Sequence, residues 1–266
     1  MKVKGALVVI TGAGSGMGRA MTLELIRRGA KVAALDLRHE TLEETRLLAK
    51  ADHSQLETFV VDVTAKEAVS ELPARIRSAL GEPDILINNA GIIQPFVRIN
   101  DLPIADIERV MNVNFYGPVF IIKSFLPGLL KRPRAHILNV SSMGAYAPVP
   151  GQSAYGASKA ALKLLTEGLR SELKGTNVGV TVAFPGAVAT NIASNSGLSL
   201  PPTAENAPTI KALPAEVAAK IMIDAIEQGK ARVTVGKDAT MMDRLSRLNP
   251  LLAASLIYRN MRSLLK

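Results

Sequence analysis

Tyr155 and Lys159 stand four residues apart in the stretch YGASK, with only Gly156, Ala157 and Ser158 between them. On a helix, positions i and i+4 share one face, with Cβ atoms about 5–6 Å apart. A free phenol titrates near 10, and bringing it to about 7 takes roughly 4 kcal/mol of preference for phenolate. A cation about 4 Å away at an effective dielectric near 20 supplies on the order of 4 kcal/mol. The spacing therefore suits an acid–base tyrosine, although any exposed helix carries the same pair. Ser142, in ILNVSS, has a hydroxyl able to hold a substrate oxygen, with Ser141 as its rival. Asn114, in NVNF, offers a backbone or amide group for a water behind Lys159. His39, His53 and His136 match none of these positions, and no metal site is expected.

A second group of residues suits a phosphate. Gly12, Gly14, Gly16 and Gly18 in TGAGSGMG follow an apolar run. Their spacing is G-x-x-x-G-x-G rather than G-x-G-x-x-G. Glycine there lets the backbone turn tightly, approach a pyrophosphate and start a helix whose free N–H groups face it. Asp36 ends the next apolar run, where a carboxylate accepts ribose hydroxyls and repels a 2′-phosphate, favouring NAD(H) over NADP(H). Arg38 argues the other way, while Ser15 and Leu37 leave the neighbouring positions uncharged. Asp62 either accepts from an adenine amino group or serves the helix that follows it. Asn88 to Gly91, NNAG, closes the fourth apolar run.

These residues need a frame. Apolar, β-branched runs at Ala6–Thr11, Lys31–Leu37, Leu56–Asp62, Asp84–Asn88, Ala135–Val140, Val178–Phe184 and Arg232–Val235 read as strands. Helical patterns separate them: Met17–Arg28 closed by Gly29, His39–Ala51, a helix to Leu80 with Thr64 and Glu67 as a capping box, and Gln152–Lys174. A long helix runs from Ile104 to Leu130, bent near Pro118, and Pro214 opens another to Gln228. Continuous apolar strands spaced by helices predict an α/β fold, a single doubly wound domain with a seven-stranded parallel sheet covered on both faces. Its bounds are read as 1–238, with residues 187–213 as a substrate lid at the ligand-binding carboxyl edge.

Residues 239–266 read as a basic amphipathic helical tail, capped by Asn249 with Pro250 first in its helix. Ser255, Arg259, Arg262 and Lys266 form its polar stripe; Leu252, Leu256, Ile257, Met261, Leu264 and Leu265 fill the rest. Of the net charge of +9, residues 230–266 carry +6, from eight Lys/Arg against two Asp/Glu. The tail either packs on its own domain or a sister subunit, touches a membrane surface, or covers an apolar substrate. The near-neutral body shows no nucleic-acid motif. With no Cys in 266 residues, disulfides are excluded and a cytoplasmic location is expected. Lys2, Lys4 and Gly5–Ile10 imitate a signal peptide, but the run is short, a Gly cluster follows it, and it reads as a buried first strand. Asn139-Val-Ser141 falls in an apparent strand and is not read as a glycosylation site.

TGAGSGMG, NNAG, Asn114, Ser142 and YGASK occur in the order and spacing of the short-chain dehydrogenase/reductase family, which the chain resembles over about residues 5 to 236. Pro185-Gly186 and Thr190 also match. The resemblance implies a tetrad of Asn114, Ser142, Tyr155 and Lys159, with Tyr155 exchanging the hydroxyl proton, Ser142 polarising the carbonyl, Lys159 binding nicotinamide ribose and Asn114 anchoring a relay water. It implies cofactor contacts from Gly12, Ser15, Gly16, Met17, Gly18, Asp36, Asp62, Val63, Asn89, Ala90, Gly91, Tyr155, Lys159, Pro185, Gly186, Val188 and Thr190, with Ile192 near the nicotinamide end. A homodimer or homotetramer through the long helices is implied as well. The expected reaction is NAD(H)-dependent interconversion of a secondary alcohol and a ketone or aldehyde, on an apolar substrate. Reduction of a 3-ketoacyl thioester or an imine, or cofactor sensing without turnover, are the alternatives.

Overall fold

The apolar runs form seven strands: β1 (Leu7–Thr11), β2 (Lys31–Asp36), β3 (Leu56–Val60), β4 (Ile85–Asn88), β5 (Ala135–Val140), β6 (Val178–Pro185) and β7 (Arg232–Val235). In this computed structural model, which describes residues 1–198, 212–262 and 265, they make one sheet in the order β3-β2-β1-β4-β5-β6-β7. Every neighbouring pair is parallel. The order reverses between β1 and β4, and that switch point opens a crevice at the carboxyl edge of the sheet.

Ten helices complete the described chain: α1 (Gly16–Arg27), α2 (His39–Ala49), α3 (Lys66–Leu80), α4 (Ile104–Met111), α5 (Gly117–Leu129), α6 (Ser153–Glu172), α7 (Ile192–Asn195), α8 (Ala215–Glu227), α9 (Lys237–Leu248) and α10 (Pro250–Met261). Successive strand side chains point to opposite faces. Val8, Ile10, Val32 and Ile87 therefore pack with Met21 and Leu25 of α1 and Met222 and Ile226 of α8. Leu7, Val9, Leu35 and Leu86 pack with Leu72 of α3, Ile121 and Phe125 of α5 and Leu169 of α6. Both faces are sealed, so the strands hold their carboxyl ends in fixed register.

Two local expectations change. Thr64 caps nothing: its N–H and hydroxyl both donate to Asp62 Oδ1, at 2.8 and 2.7 Å, and α3 starts two residues later without a side-chain cap. A short acidic side chain bonded to its own backbone two residues on competes with the helix start. The long helix is not one continuous α-helix: it widens into a π-turn over Asn112–Tyr116, just before Pro118. Proline has no N–H to give the carbonyl four residues back, which here belongs to Asn114. Such turns recur at functional sites.

The basic tail is two helices rather than one. Asn249 does cap α10, accepting from the Leu252 N–H at 3.0 Å. Ala253 and Ile257 are buried against Ala147 and Met242, so the tail packs on its own domain. Asp238, in the first turn of α9, accepts the Ala187 N–H at 2.7 Å and ties α9 to the end of β6. Leu251, Leu252 and Tyr258 face outward. Leu264 and Lys266, and residues 199–211 of the expected lid, lie outside the described residues.

Candidate active site

Lys159 is 3% exposed, one helical turn beyond Tyr155 on α6. Its Nζ donates to the Val140 carbonyl at the end of β5, 3.1 Å away. A Cβ placed on Gly91 would sit 3.1 Å from that Nζ and 3.2 Å from Asn114 Oδ1. Only glycine leaves the ammonium open to the crevice there. Burial pulls the Lys159 ammonium down to about 8. Burial also pushes the Tyr155 phenol up, while the Ser142 hydroxyl bonded to it pulls the other way. The expected depression of the phenol by Lys159 is thus not what this packing produces. Both groups lose water, and the ammonium spends its hydrogen bond on a carbonyl. Desolvation opposes charge on either group.

Ser142 and Ser141 separate cleanly. Ser141 is buried, its hydroxyl donating to the Lys159 carbonyl at 2.8 Å. Ser142 is half-buried beside the phenol; its Oγ accepts the Gly144 N–H at 3.0 Å and its own proton faces the Tyr155 oxygen. A Cβ on Gly144 would crowd Tyr155 Cε1 at 3.3 Å. The Asn114 side chain bridges three elements. Oδ1 accepts from Ile92 N at 2.9 Å, while Nδ2 donates to Ile92 O at 2.9 Å and Ser158 Oγ at 3.0 Å. Both amide protons are taken by acceptors within the protein.

The adjoining crevice is walled by Gly12, Ser15, Gly16, Met17, Asp36, Asp62, Val63, Asn89, Ala90, Gly91, Thr190 and Ile192, all expected from the sequence. Gly18 lies beneath it: a Cβ there would meet the Gly12 carbonyl at 1.8 Å, so only glycine lets α1 close on the turn. Lys159 lies behind Gly91. Pro185, Gly186 and Val188 form the β6 exit rather than the wall; Gly186 abuts Asp238, and Val188 bridges Leu213.

The residues present fit a dinucleotide. Among the described residues the N–H groups of Gly16, Met17 and Gly18 have no acceptor, and Ser15 does not cap α1 with its side chain. Those groups point a positive helix end at the crevice. Asp36 is aimed by two backbone donors, Gly14 N at 2.9 Å and Arg38 N at 3.2 Å, which leaves lone pairs for ribose hydroxyls. Asp62 is partly consumed by Thr64. Asn89 acts as a clamp, its amide donating to Thr11 O and Gly12 O at 3.0 and 3.3 Å.

Several supporting residues were missed. Thr11 Oγ1 accepts from both Asn89 N and Ala90 N at 3.0 Å, holding β1 to β4 at the switch point. Arg19 braces the glycine turn through the Gly14 carbonyl and reaches Thr45 and Glu44 on α2. Asn195 spans the crevice mouth, accepting from Arg38 Nη2 and donating to Ser15 Oγ, each at 2.8 Å. Only the SGMG-proximal arginine carried a readable signal, as a cation on the first turn of a phosphate-facing helix. Among the described residues no three His, Asp or Glu side chains stand together as a metal site, and no helix is long and apolar enough to cross a membrane.

Known proteins are similar to this chain in sequence and fold. A Mycobacterium tuberculosis protein named as an oxidoreductase, SadH, is 37% identical over 252 residues, 92% of this chain and 91% of that one. A short chain dehydrogenase/reductase from Burkholderia phymatum in complex with NAD superposes with a TM-score of 0.84, at 27% identity, over 95% of this chain and 96% of that chain. A short chain dehydrogenase from Burkholderia cenocepacia in complex with NADP gives 0.80 at 26% identity, over 97% and 99%. The short chain dehydrogenase family profile matches residues 6–199, which span the glycine turn, the switch point and the tyrosine–lysine helix. The glycine turn on a helix start, the carboxylate at the end of β2 and the phenol–ammonium pair at one sheet edge all fall within the matched segment, and the chain belongs to the short chain dehydrogenase family of oxidoreductases.

Proposed function

We propose that the chain interconverts a secondary alcohol and a ketone with a nicotinamide cofactor, NAD(H) in preference to NADP(H), and that Tyr155 is the acid–base. The observation that carries this reading is the grouping of Tyr155, Ser142 and Lys159 at the edge of the dinucleotide crevice, with the ammonium next to Gly91 of its wall. When bound, the nicotinamide supplies or accepts a hydride. The chain's own residues handle the oxygen and the proton. The Ser142 hydroxyl, turned from the phenol to the incoming substrate, donates to the substrate oxygen and orients it. In reduction, Tyr155 Oη gives its proton to that oxygen; its raised affinity for the proton keeps it loaded until then. In oxidation the tyrosine oxygen must first be phenolate in order to take the proton; the Ser142 hydroxyl bonded to it favours that form against burial, and Lys159, held one turn away, is left to hold the cofactor ribose. Asn114 fixes the backbone of the π-turn behind Lys159 and ties it through Ser158 Oγ to the Tyr155 carbonyl, 2.7 Å further on.

Asp36 is the ground for preferring NAD(H). Arg38 favours NADP(H), but its guanidinium is engaged by Asn195. The lid is proposed at 187–213, of which 199–211 lie outside the described residues, and the tail at 239–266, where α9 and α10 pack behind Tyr146 and Val149. Exposed Ile104, Tyr116, Leu130 and Leu164 on α4, the π-turn, the end of α5 and α6 support a homo-oligomer through those helices. A panel of ketones and alcohols, run in both directions with both cofactors, tests the reading. Turnover of secondary alcohols faster with NAD⁺ than with NADP⁺ supports it; a strong NADPH preference overturns the Asp36 assignment.

A further inference from the structure

The inner face of the tail is spent on its own domain, through Ala253 and Ile257. Its outer face is not. Lys237, Met241, Arg244, Leu245 and Leu248 of α9 line one open groove of about 840 Å³, which Ile221 of α8 also lines. Offsets of 0, 4, 7, 8 and 11 put these five on a single face of α9. Leu248 is 85% exposed, and the first turn of α10 adds Leu251 at 80%. Leucines this bare at one elbow, continuous with an apolar groove, mark a surface with a partner. Charge selects that partner. From Arg244 to Lys266 the chain has five Lys/Arg and no Asp/Glu. Arg247 is paired with Asp243 at 3.3 Å, and Asp243 also holds Arg232. Lys237 and Arg244 have no carboxylate partner among the described residues. A second copy fits poorly: about a twofold axis the patch would meet itself, cation against cation with no acid between them. A nucleic acid would take the arginines and leave the leucines against phosphates. Anionic headgroups over hydrocarbon take both, because leucines enter the acyl boundary while long Lys and Arg side chains reach back to the phosphates. Tyr258, exposed on α10, is a residue type that settles at that boundary.

We propose that the elbow of α9 and α10 docks the protein on an anionic membrane surface, lying in the interface without crossing it. The inference does not depend on the reaction assigned to Tyr155. Its test is co-sedimentation of the full chain with vesicles of phosphatidylcholine alone, and with about one third of the lipid replaced by phosphatidylglycerol. Binding should be about tenfold or more tighter to the anionic vesicles, and about 0.5 M salt should remove most of that advantage. Arg244→Gln should weaken binding to them about fivefold. Leu248→Ser combined with Leu251→Ser should weaken it about tenfold or more. Both changes lie on exposed positions, so NADH binding and sedimentation velocity without vesicles should match wild type. Equal recovery in the supernatant with and without phosphatidylglycerol overturns the inference. So does full vesicle binding by the leucine variant. A leucine variant that sediments as a smaller oligomer than wild type also overturns it, since the elbow would then be a contact between copies of the chain.

Discussion

Replacing Lys159 with methionine should make the folded protein less pH-dependent while abolishing turnover. Burial holds the ammonium at about 8 against an ordinary 10.5. Below pH 8 both folded and unfolded chains carry the proton, and the folded chain bears the whole cost of burying it, about 3 kcal/mol. Between pH 8 and 10.5 only the unfolded chain keeps the proton, so wild-type stability climbs across that window until the cost is gone. Lys159→Met removes the charge at every pH. It also leaves the Val140 carbonyl without its donor, a loss of about 1–3 kcal/mol that does not vary with pH. The two nearly cancel at pH 7. The difference between the two proteins is the sharper quantity: relative to the variant, wild type should gain about 3 kcal/mol from pH 7 to 10.5. Urea unfolding of both proteins without dinucleotide at the two pH values reads this directly, since every other titrating group is common to both. Curves that shift in parallel would show that Lys159 is not a buried charge, and the account of the site would go with it.

Tyr155→Phe should abolish turnover while NADH still binds, as followed by NADH fluorescence; near wild-type rates would remove the mechanism. Asp36→Ala should improve NADP⁺ binding relative to NAD⁺ by about tenfold, because a like charge beside the 2′-phosphate is lost; an unchanged ratio of dissociation constants in calorimetry would refute this. His136 is buried against Thr181 and held down at about 4 from 6.5. Between those values only the unfolded chain takes the proton, so stability is lost as pH falls through the window, by about 3 kcal/mol. His136→Asn should flatten that acid limb, which urea midpoints at pH 7 and 4.5 would show.

Much of the frame was legible because it is written locally. Each strand announced itself by a short apolar run, and sealing both sheet faces left one economical topology. The glycine turn, Asp36 and the Tyr155–Lys159 pair were legible because their spacing alone brings them to one sheet edge or one helix face. What spacing cannot supply is competition for partners. Asp62 took the hydroxyl that Thr64 would have lent to a cap. Ser141 and Ser142 are chemically identical in the chain, and only packing against α6 turns one hydroxyl onto the Lys159 carbonyl and the other beside the Tyr155 phenol. Asn195 reaches Ser15 from 180 residues away. The sense of the Tyr155 perturbation also needed the assembled fold. By itself the sequence set the order of elements, the glycines and the distance along one helix between phenol and ammonium, since these follow from periodicity and backbone sterics. The tertiary structure alone decided which groups lose water and which spare donor or acceptor remains, because desolvation and hydrogen-bond pairing belong to surroundings drawn from distant parts of the chain.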